Sequence, residues 1–416
     1  MNQPIAMNTT RKHVVWLDVV RLVAMFTVVC CHSADPFNFY PGEPPANIDE
    51  IKFWGAAYGA FLRPCVPLFV MITGALLLPV RGEISAFYKK RISRVFWPFL
   101  IWSVIYNLFP WFTGLLGLNP EIILDFFPYS GEEAARQSLN VSLGYIAEMP
   151  LNFSLLDVHM WYIYLLIGLY LYMPFFSAWV ERASNKTKQI FLFIWIVSLF
   201  IPYIREYVAN MLFDRSGYVF GTDTWNEFSM FYYFAGFNGY LLLGHYLKEG
   251  GNGNALKIFW PFSGSSKDDR LTNDWSVWKT FLICAVMFAI GYYVTYTGFS
   301  TTAANPNATE TEMELYFTFC SPNVLLMTLA MFLMLQKVVI NTPVIVKALA
   351  NMTKCGFGIY MVHYFVVGPF FLLIGPSEIP IPLQVPLMAV CIFLCSWAFT
   401  ALLYKLMPHK AKYIMG

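Results

Sequence analysis

Apolar residues run along this chain in long blocks that shorter polar stretches separate. A helix that crosses the bilayer core needs about 20 consecutive apolar residues, and the blocks approach or exceed this length. Ten candidate spans lie at about 14–33, 54–79, 95–117, 158–180, 190–209, 228–247, 277–298, 315–336, 355–375 and 382–406. Because a bilayer accepts only helices and closed barrels, this pattern predicts an all-α polytopic membrane protein with about ten transmembrane helices.

Composition agrees with that class and excludes others. The chain is 58% hydrophobic and only 12% charged, whereas soluble domains average about 25% charged residues. No basic run is paired with a recognisable nucleic-acid-binding motif, so we expect no nucleic-acid partner. The 8 cysteines form no CxxC pair and lie in or beside apolar blocks. They predict neither a disulfide framework nor a metal site, and small buried apolar residues are the expected role.

The distribution of charge predicts the orientation. With the N-terminus on the cytoplasmic side, most basic residues fall in inner segments, as the positive-inside rule requires. The outer loops then hold only Lys52, Arg136, Arg205 and Arg215. We therefore expect both termini to be cytoplasmic and a single membrane domain over residues 1–416. Within this domain, residues 1–13 are expected to form a cytoplasmic tail. The largest outer loop is expected at 119–157, and it is long enough for short helices that could shape an entrance.

The first apolar block carries ionisable residues, which are costly inside a membrane and therefore indicate function. Arg21 and His32 are 11 residues apart, so they share one helix face about 16 Å apart along the axis. Asp18 lies on the same face, three residues before Arg21, and is expected to pair with it. This face is predicted to look inward and to line the chemistry. A purely structural Asp18–Arg21 pair, and a His32 that bonds only a carbonyl, are the alternatives.

Arg63 lies within the second block, beside Pro64 and Pro67. A helix that proline breaks frees backbone groups, which a membrane protein tolerates only where protein or a cavity satisfies them. Arg63 beside such a break therefore predicts a lined tunnel, in which it could polarise a carbonyl oxygen.

A basic cluster at the inner mouth of the third span holds Lys89, Lys90, Arg91 and Arg94. The positive-inside rule alone would explain it. Guanidinium groups also suit phosphates, so an anion site is the other interpretation.

Two further histidines fall in apolar blocks. His159 and Trp161 open the fourth span, where an aromatic belt would explain the tryptophan. His363 lies in the ninth span, close to Tyr360. A hydrogen-bonding role with Tyr360 and a catalytic role are both open for His363.

Six segments in a fixed order carry a family resemblance. They are Arg21-x10-His32, RPCVPLFVMITGALLLP from Arg63, KKRISRVFWPFLIW from Lys89, HMWYIYLLIGLYLYMP from His159, GYLLLGHYL from Gly239 and FGIYMVHYF from Phe357. In this order they resemble acyltransferase family 3, the integral membrane O-acyltransferases that include modifiers of lipopolysaccharide O-antigen, enterobacterial common antigen and Nod factor. The resemblance runs from about residue 14 to 406. Thr73-Gly74 stands where Ser-Gly is common in the family, and the hydroxyl is retained.

The resemblance implies a multi-pass enzyme of the bacterial inner membrane. Such enzymes move an acyl group, commonly acetyl, from cytoplasmic acyl-CoA to a hydroxyl of an extracytoplasmic glycan or lipid-linked sugar. O-acetylation of a polysaccharide is thus the implied activity. No metal is implied.

The resemblance also assigns roles to residues. His32 matches the catalytic histidine, and an imidazole is the side chain best suited to accept a proton near neutral pH. The expected catalytic set is His32, Arg21, Asp18 and Arg63, and the expected coenzyme A site is Arg91-x-x-Arg94 with Lys90. His159, Trp161, Tyr360 and His363 are weaker candidates for acceptor binding.

A secondary transporter, or a carrier that moves the acyl group across the membrane, is the alternative function. Intramembrane charges and broken helices fit a substrate or proton path through His32, Arg21 and Arg63. The sequence shows no internal repeat, which argues against a transporter.

Overall fold

The computed structural model describes residues 15–38, 40, 43–127, 129–208, 211, 219–223, 226–249 and 274–416. It is 77% helical, and the described residues form no strand. Eight helical segments within the described ranges are long and apolar enough to cross a membrane, counting Ile48–Leu77 as one although it is broken near Arg63. The predicted all-α membrane class is confirmed. The tail predicted at 1–13 lies outside the described residues.

Sixteen helices follow one another along the described chain. They are α1 Val15–Asn38, α2 Ile48–Phe61, α3 Cys65–Leu77, α4 Ile84–Leu115, α5 Glu121–Phe126, α6 Gly131–Ala135, α7 Leu139–Glu148, α8 Trp161–Arg182, α9 Asn185–Ser198, α10 Asn238–Glu249, α11 Asp274–Ala303, α12 Glu310–Leu315, α13 Pro322–Leu335, α14 Pro343–Ile374, α15 Ile381–Leu406 and α16 Ala411–Met415. Short helical turns at Val158–Met160 and Ile201–Val208 extend α8 and α9, and a third turn lies at Ser229–Phe231.

Two of the predicted spans are represented by short helices. The blocks at 228–247 and 315–336 contain α10 and α13, of 12 and 14 residues. At 1.5 Å per residue these helices are about 18 and 21 Å long, less than the ~30 Å of a bilayer core. The other eight predicted spans overlap the eight long helical segments. The count of ten and the cytoplasmic position of both termini stay predictions.

Helix α1 lies at the centre of the bundle. It contacts α2, α3, α13, α14 and α15, and side chains along it, such as Val20 and Ala24, are fully buried. Its most apolar window is 61% buried, compared with 17% for α11. Asp18 and Asp35 are therefore buried within the bundle, whereas the side chains of Arg21 and His32 are 41% and 20% exposed, and α11 is the more exposed helix.

The proline break predicted in the second span is confirmed. Helix α2 ends at Phe61 and α3 begins at Cys65, so Arg63 occupies the turn between them. The amide of Leu62 still donates to the carbonyl of Tyr58 at 3.1 Å, which closes α2. Pro64 has no N–H to donate, and its fixed φ suits the start of a helix, so α3 begins directly after it.

Close backbone packing fixes α3 against α10. A Cβ added to Gly74 would lie 1.9 Å from the carbonyl oxygen of Leu241, and one added to Gly244 would lie 2.0 Å from that of Met71. Only glycine permits this approach at these two positions, which is the usual role of small residues between membrane helices. The side chains that α3 carries are thus presented from a rigid support.

Candidate functional site

His32 forms a dyad with a carboxylate on the same helix. Its Nδ1 lies 2.7 Å from Oδ2 of Asp35, which follows three residues later on α1 and is buried. A carboxylate at this distance fixes the proton on Nδ1 and leaves Nε2 as the acceptor. The His32 side chain is 20% exposed, so Nε2 is available to a bound molecule. The dyad therefore has the arrangement of an oriented general base.

Tyr129 holds the other side of the carboxylate. This tyrosine belongs to the segment at 119–157, which was predicted as a long outer loop and contains the short helices α5, α6 and α7. Its hydroxyl hydrogen-bonds Asp35; burial, followed by the negative charge of Asp35, raises the pKa of Tyr129 well above its ordinary value. The hydroxyl therefore stays protonated and donates to Asp35. The segment lies over the site and helps to orient His32.

Two more histidines meet His32. The ring centroids of His32 and His363 are 5.3 Å apart, those of His159 and His363 are 5.3 Å apart, and those of His32 and His159 are 6.4 Å apart. Among described residues, both ring nitrogens of buried His159 and the Nε2 of His363 lack a hydrogen-bond partner. Buried polar atoms are normally satisfied, so these nitrogens indicate a place where a polar ligand is received.

A turn stabilised by Asp157 positions His159. The Oδ1 of Asp157 accepts hydrogen bonds from the amide of Ser154 at 2.8 Å and from its hydroxyl at 2.9 Å. Burial raises the pKa of Asp157, and hydrogen bonds from serines partly offset this rise. His159 follows two residues later in the turn that leads into α8. On the other side, Nδ1 of His363 donates to the carbonyl of Tyr360 at 2.7 Å.

We call the cavity in front of the dyad the histidine cavity. It has a volume of about 240 Å³, and its lining includes His32, Asp35, Arg63, His159 and Trp161. The ring of Trp161 stacks on that of Phe319 with centroids 5.5 Å apart and an interplanar angle of 18°. His363 contacts the rings of both other histidines but is not part of the lining.

Arg63 lines the histidine cavity, and its guanidinium group contacts two aromatic rings. Its Nε donates to the carbonyl of Gly59 at 3.2 Å. Its guanidinium carbon lies 4.2 Å from the centroid of Phe317 and 5.6 Å from that of Phe319. No carboxylate in the described ranges forms an ion pair with it. A cation stabilised mainly by rings retains N–H groups for a negatively charged oxygen.

A second cavity, which we call the basic cavity, lies nearer the N-terminal end of α1. Its volume is about 230 Å³, and Arg21, Arg91, Arg94 and Lys354 line it. Three helices thus contribute cationic groups to one cavity, an arrangement that suits an anion with several charges. The predicted ion pair is present, with Nη1 of Arg21 3.6 Å from Oδ1 of Asp18.

The comparisons with known proteins decide the class. A family model described as an acyltransferase domain matches residues 14–401. The chain belongs to acyltransferase family 3. It is therefore a membrane-embedded acyltransferase. No curated protein and no solved structure matches it significantly.

The residues predicted for this acyltransferase separate into two groups. His32, Arg63, His159, Trp161 and Tyr360 meet at the histidine cavity, and Arg21, Arg91, Arg94 and again Tyr360 line the basic cavity. Asp18 is paired with Arg21. Lys90 is exposed on α4, and the lining of the basic cavity does not include it. The roles assigned to all of these residues stay predictions.

Sequence reasoning missed three residues that line the two cavities of this acyltransferase. Asp35 had a usable signal, because a carboxylate three residues after a histidine on a helix lies within reach of it. Lys354 lies just before the ninth predicted span, where the positive-inside rule alone explains a basic residue. Tyr129 comes from a distant loop, and no local pattern links it to His32.

Two cysteines also line the histidine cavity of this acyltransferase. They are Cys31, which is partly exposed, and Cys65, which is buried. Their thiols form a hydrogen bond with each other. The expected role of small buried residues therefore holds for Cys65, whereas Cys31 is open to the cavity.

Proposed function

We propose that this protein transfers an acyl group, acetyl in the first instance, from cytoplasmic acyl-CoA to a hydroxyl group outside the bacterial inner membrane. The observation that carries the proposal is the pair of cavities along α1. One is lined by cations and the other contains an oriented histidine, and three residues line both. A donor that enters one cavity can therefore meet an acceptor that enters the other.

The basic cavity suits coenzyme A. The cofactor carries a diphosphate and a 3′-phosphate, and guanidinium groups bind phosphate oxygens with paired N–H donors. Arg91 and Arg94 supply such groups, and Lys354 adds a further charge. The pantetheine arm then extends past Arg21 along α1. Eleven residues of helix separate Arg21 from His32, about 16 Å, which a pantetheine arm can bridge.

The dyad supplies the base for the transfer. His32 Nε2 takes the proton of the acceptor hydroxyl as its oxygen attacks the thioester carbonyl, while Asp35 stabilises the imidazolium that forms. Arg63 donates to the oxygen that becomes negative in the tetrahedral intermediate. Collapse of the intermediate breaks the carbon–sulfur bond. The coenzyme A thiolate leaves and takes the proton from His32, which restores the neutral imidazole.

The outer part of the histidine cavity suits a sugar. The indole of Trp161 offers a flat apolar face, and the ring nitrogens of His159 can exchange hydrogen bonds with sugar hydroxyls. We propose a glycan or a lipid-linked sugar as the acceptor. His363 supports this wall from behind and makes its polar contact with Tyr360.

Transfer of label from radioactive acetyl-CoA to envelope material tests the proposal. The variant is His32→Ala, and the control is His409→Ala, an exposed histidine at the end of the chain. Loss of the base is expected to lower transfer by at least about 10²-fold at equal expression, with the control unchanged. Transfer that persists in His32→Ala would refute the assignment of the base.

A further inference from the structure

The histidine cavity and the basic cavity meet at three aromatic rings. Phe69 on α3, Tyr162 on α8 and Tyr360 on α14 line both cavities. The centroids of Phe69 and Tyr162 are 6.0 Å apart, and those of Tyr162 and Tyr360 are 6.1 Å apart. We infer that these rings, the aromatic constriction, select the acyl group by limiting the room for it between the basic cavity and His32. This inference rests on the proposed function.

Tyr360 is anchored by a polar contact. Its hydroxyl donates to the backbone carbonyl of His159, so its ring is tied to the wall of the histidine cavity. Tyr162 follows His159 by three residues and is buried at the start of α8. Movement of either ring would therefore disturb the position of His159.

Phe69 is the ring that can turn. It has no polar atom, it is only partly buried, and its contact with Tyr162 is between rings. Its backbone is held, because its carbonyl accepts the hydroxyl of Thr73 at 2.8 Å and α3 packs tightly against α10 at Gly74. Opening the constriction therefore requires rotation of one side chain and no shift of a helix. Phe69 is a specificity-determining residue on this account.

The geometry of the donor explains why this position selects. The acyl group is at the end of the pantetheine arm, so it reaches the constriction before the thioester does. The pantetheine arm then follows between the same rings, so a linear chain can pass; the Phe69 ring also forms part of the wall of the histidine cavity and leaves less room there for a long acyl group than for a short one. Removal of the Phe69 ring should therefore relax the limit on acyl length, and a larger ring should tighten it.

The first test compares acetyl-, butyryl- and hexanoyl-CoA as donors. We expect Phe69→Ala to raise butyryl transfer relative to acetyl transfer about 10²-fold, because butyryl is two methylenes longer and each methylene that a pocket accepts or rejects changes selection about tenfold. Phe69→Leu should act more weakly, and Phe69→Trp should lower transfer of all three donors. Phe26→Ala is the matched control, since Phe26 is partly buried against Phe393 and lines neither cavity. Unchanged donor ratios in Phe69→Ala and Phe69→Leu would overturn the inference.

A second readout does not depend on activity. Cys31 lies on the histidine side of the constriction, so a charged, membrane-impermeant thiosulfonate measures access to it. Applied to the face with the basic cavity, the reagent should label Cys31 in Phe69→Ala and leave it unlabelled in the wild type and in Phe26→Ala, as mass spectrometry of the Cys31 peptide would show. Equal labelling of the wild type and Phe69→Ala from that face would contradict the constriction. If His32→Ala keeps full transfer while Cys31 access follows Phe69, the proposed base fails and the constriction stands.

Discussion

His32 could be selected from the sequence, its partner Asp35 only through its spacing from His32, and its partner Tyr129 not at all. An imidazole at the end of an apolar block is conspicuous, because ionisable groups are rare in membrane spans. Asp35 follows His32 by three residues, a spacing that brings two side chains of a helix within reach of each other. Tyr129 reaches the dyad because the segment containing it folds over α1, and this contact depends on tertiary packing alone. Side chains whose function depends on a distant neighbour leave no local pattern.

Replacement of Asp35 by asparagine should separate chemistry from binding. An amide cannot stabilise the imidazolium and favours the wrong tautomer, so kcat should fall by about 10²–10⁴-fold. The KM for acetyl-CoA should change little, because Asp35 does not line the basic cavity. Tyr129→Phe removes one hydrogen bond to the carboxylate and should lower kcat by about tenfold. Steady-state kinetics of purified protein check both values, and an Asp35→Asn enzyme with wild-type kcat would exclude the dyad as the base.

For residues of the basic cavity we expect the opposite kinetic effect, a change in KM without a change in kcat. Arg91→Gln and Arg94→Gln should each raise the KM for acetyl-CoA by about tenfold and leave kcat nearly constant, because they remove charged contacts to phosphate far from the reacting carbonyl. The matched control is Lys89→Gln, an exposed residue outside the cavity lining. The effect of both arginine variants should shrink as salt is added. Equal KM values for the arginine variants and the control would mean that the positive charge serves orientation in the membrane only.

Apolar blocks predict the long helices well, because length and hydropathy alone decide whether a segment can cross a bilayer. They do not predict that α10 and α13 are short. The block at 228–247 contains enough aromatic residues to read as a span, yet a separate helical turn occupies Ser229–Phe231 and α10 begins only at Asn238. The break at Arg63 was predictable because proline cannot continue the hydrogen-bond ladder of α2.

The contact between α3 and α10 predicts a large effect of one methyl group. Gly244→Ala would place a Cβ against the backbone of Met71, so overpacking should destabilise the protein by about 1–3 kcal/mol. The control is Gly168→Ala on α8, where a Cβ meets no atom within 4 Å. Thermal unfolding in detergent should show a lower midpoint for Gly244→Ala and no loss for the control. Equal midpoints would contradict the close packing that supports Phe69 and Arg63.

The whole molecule places a cation-lined cavity and a cavity that contains the His32–Asp35 pair next to each other along α1. The family shows an acyltransferase, and we propose that donor and acceptor reach the two cavities from opposite faces of the membrane. That arrangement could be inferred from the sequence only in outline, from the spacing of Arg21 and His32 along α1. The aromatic constriction between the cavities could not, because α3, α8 and α14 meet only in the folded bundle.

The most direct measurement follows radioactive acetyl-CoA added to sealed envelope vesicles of defined orientation. With the cytoplasmic face outward, the account predicts acetyl groups covalently bound to material inside the vesicle, with no such product in His32→Ala. Vesicles of the opposite orientation should give no product until they are opened. Two results would contradict the account. One is labelled product formed only when acetyl-CoA is on the extracytoplasmic face, and the other is label that crosses the membrane without covalent transfer, as a transporter would move it.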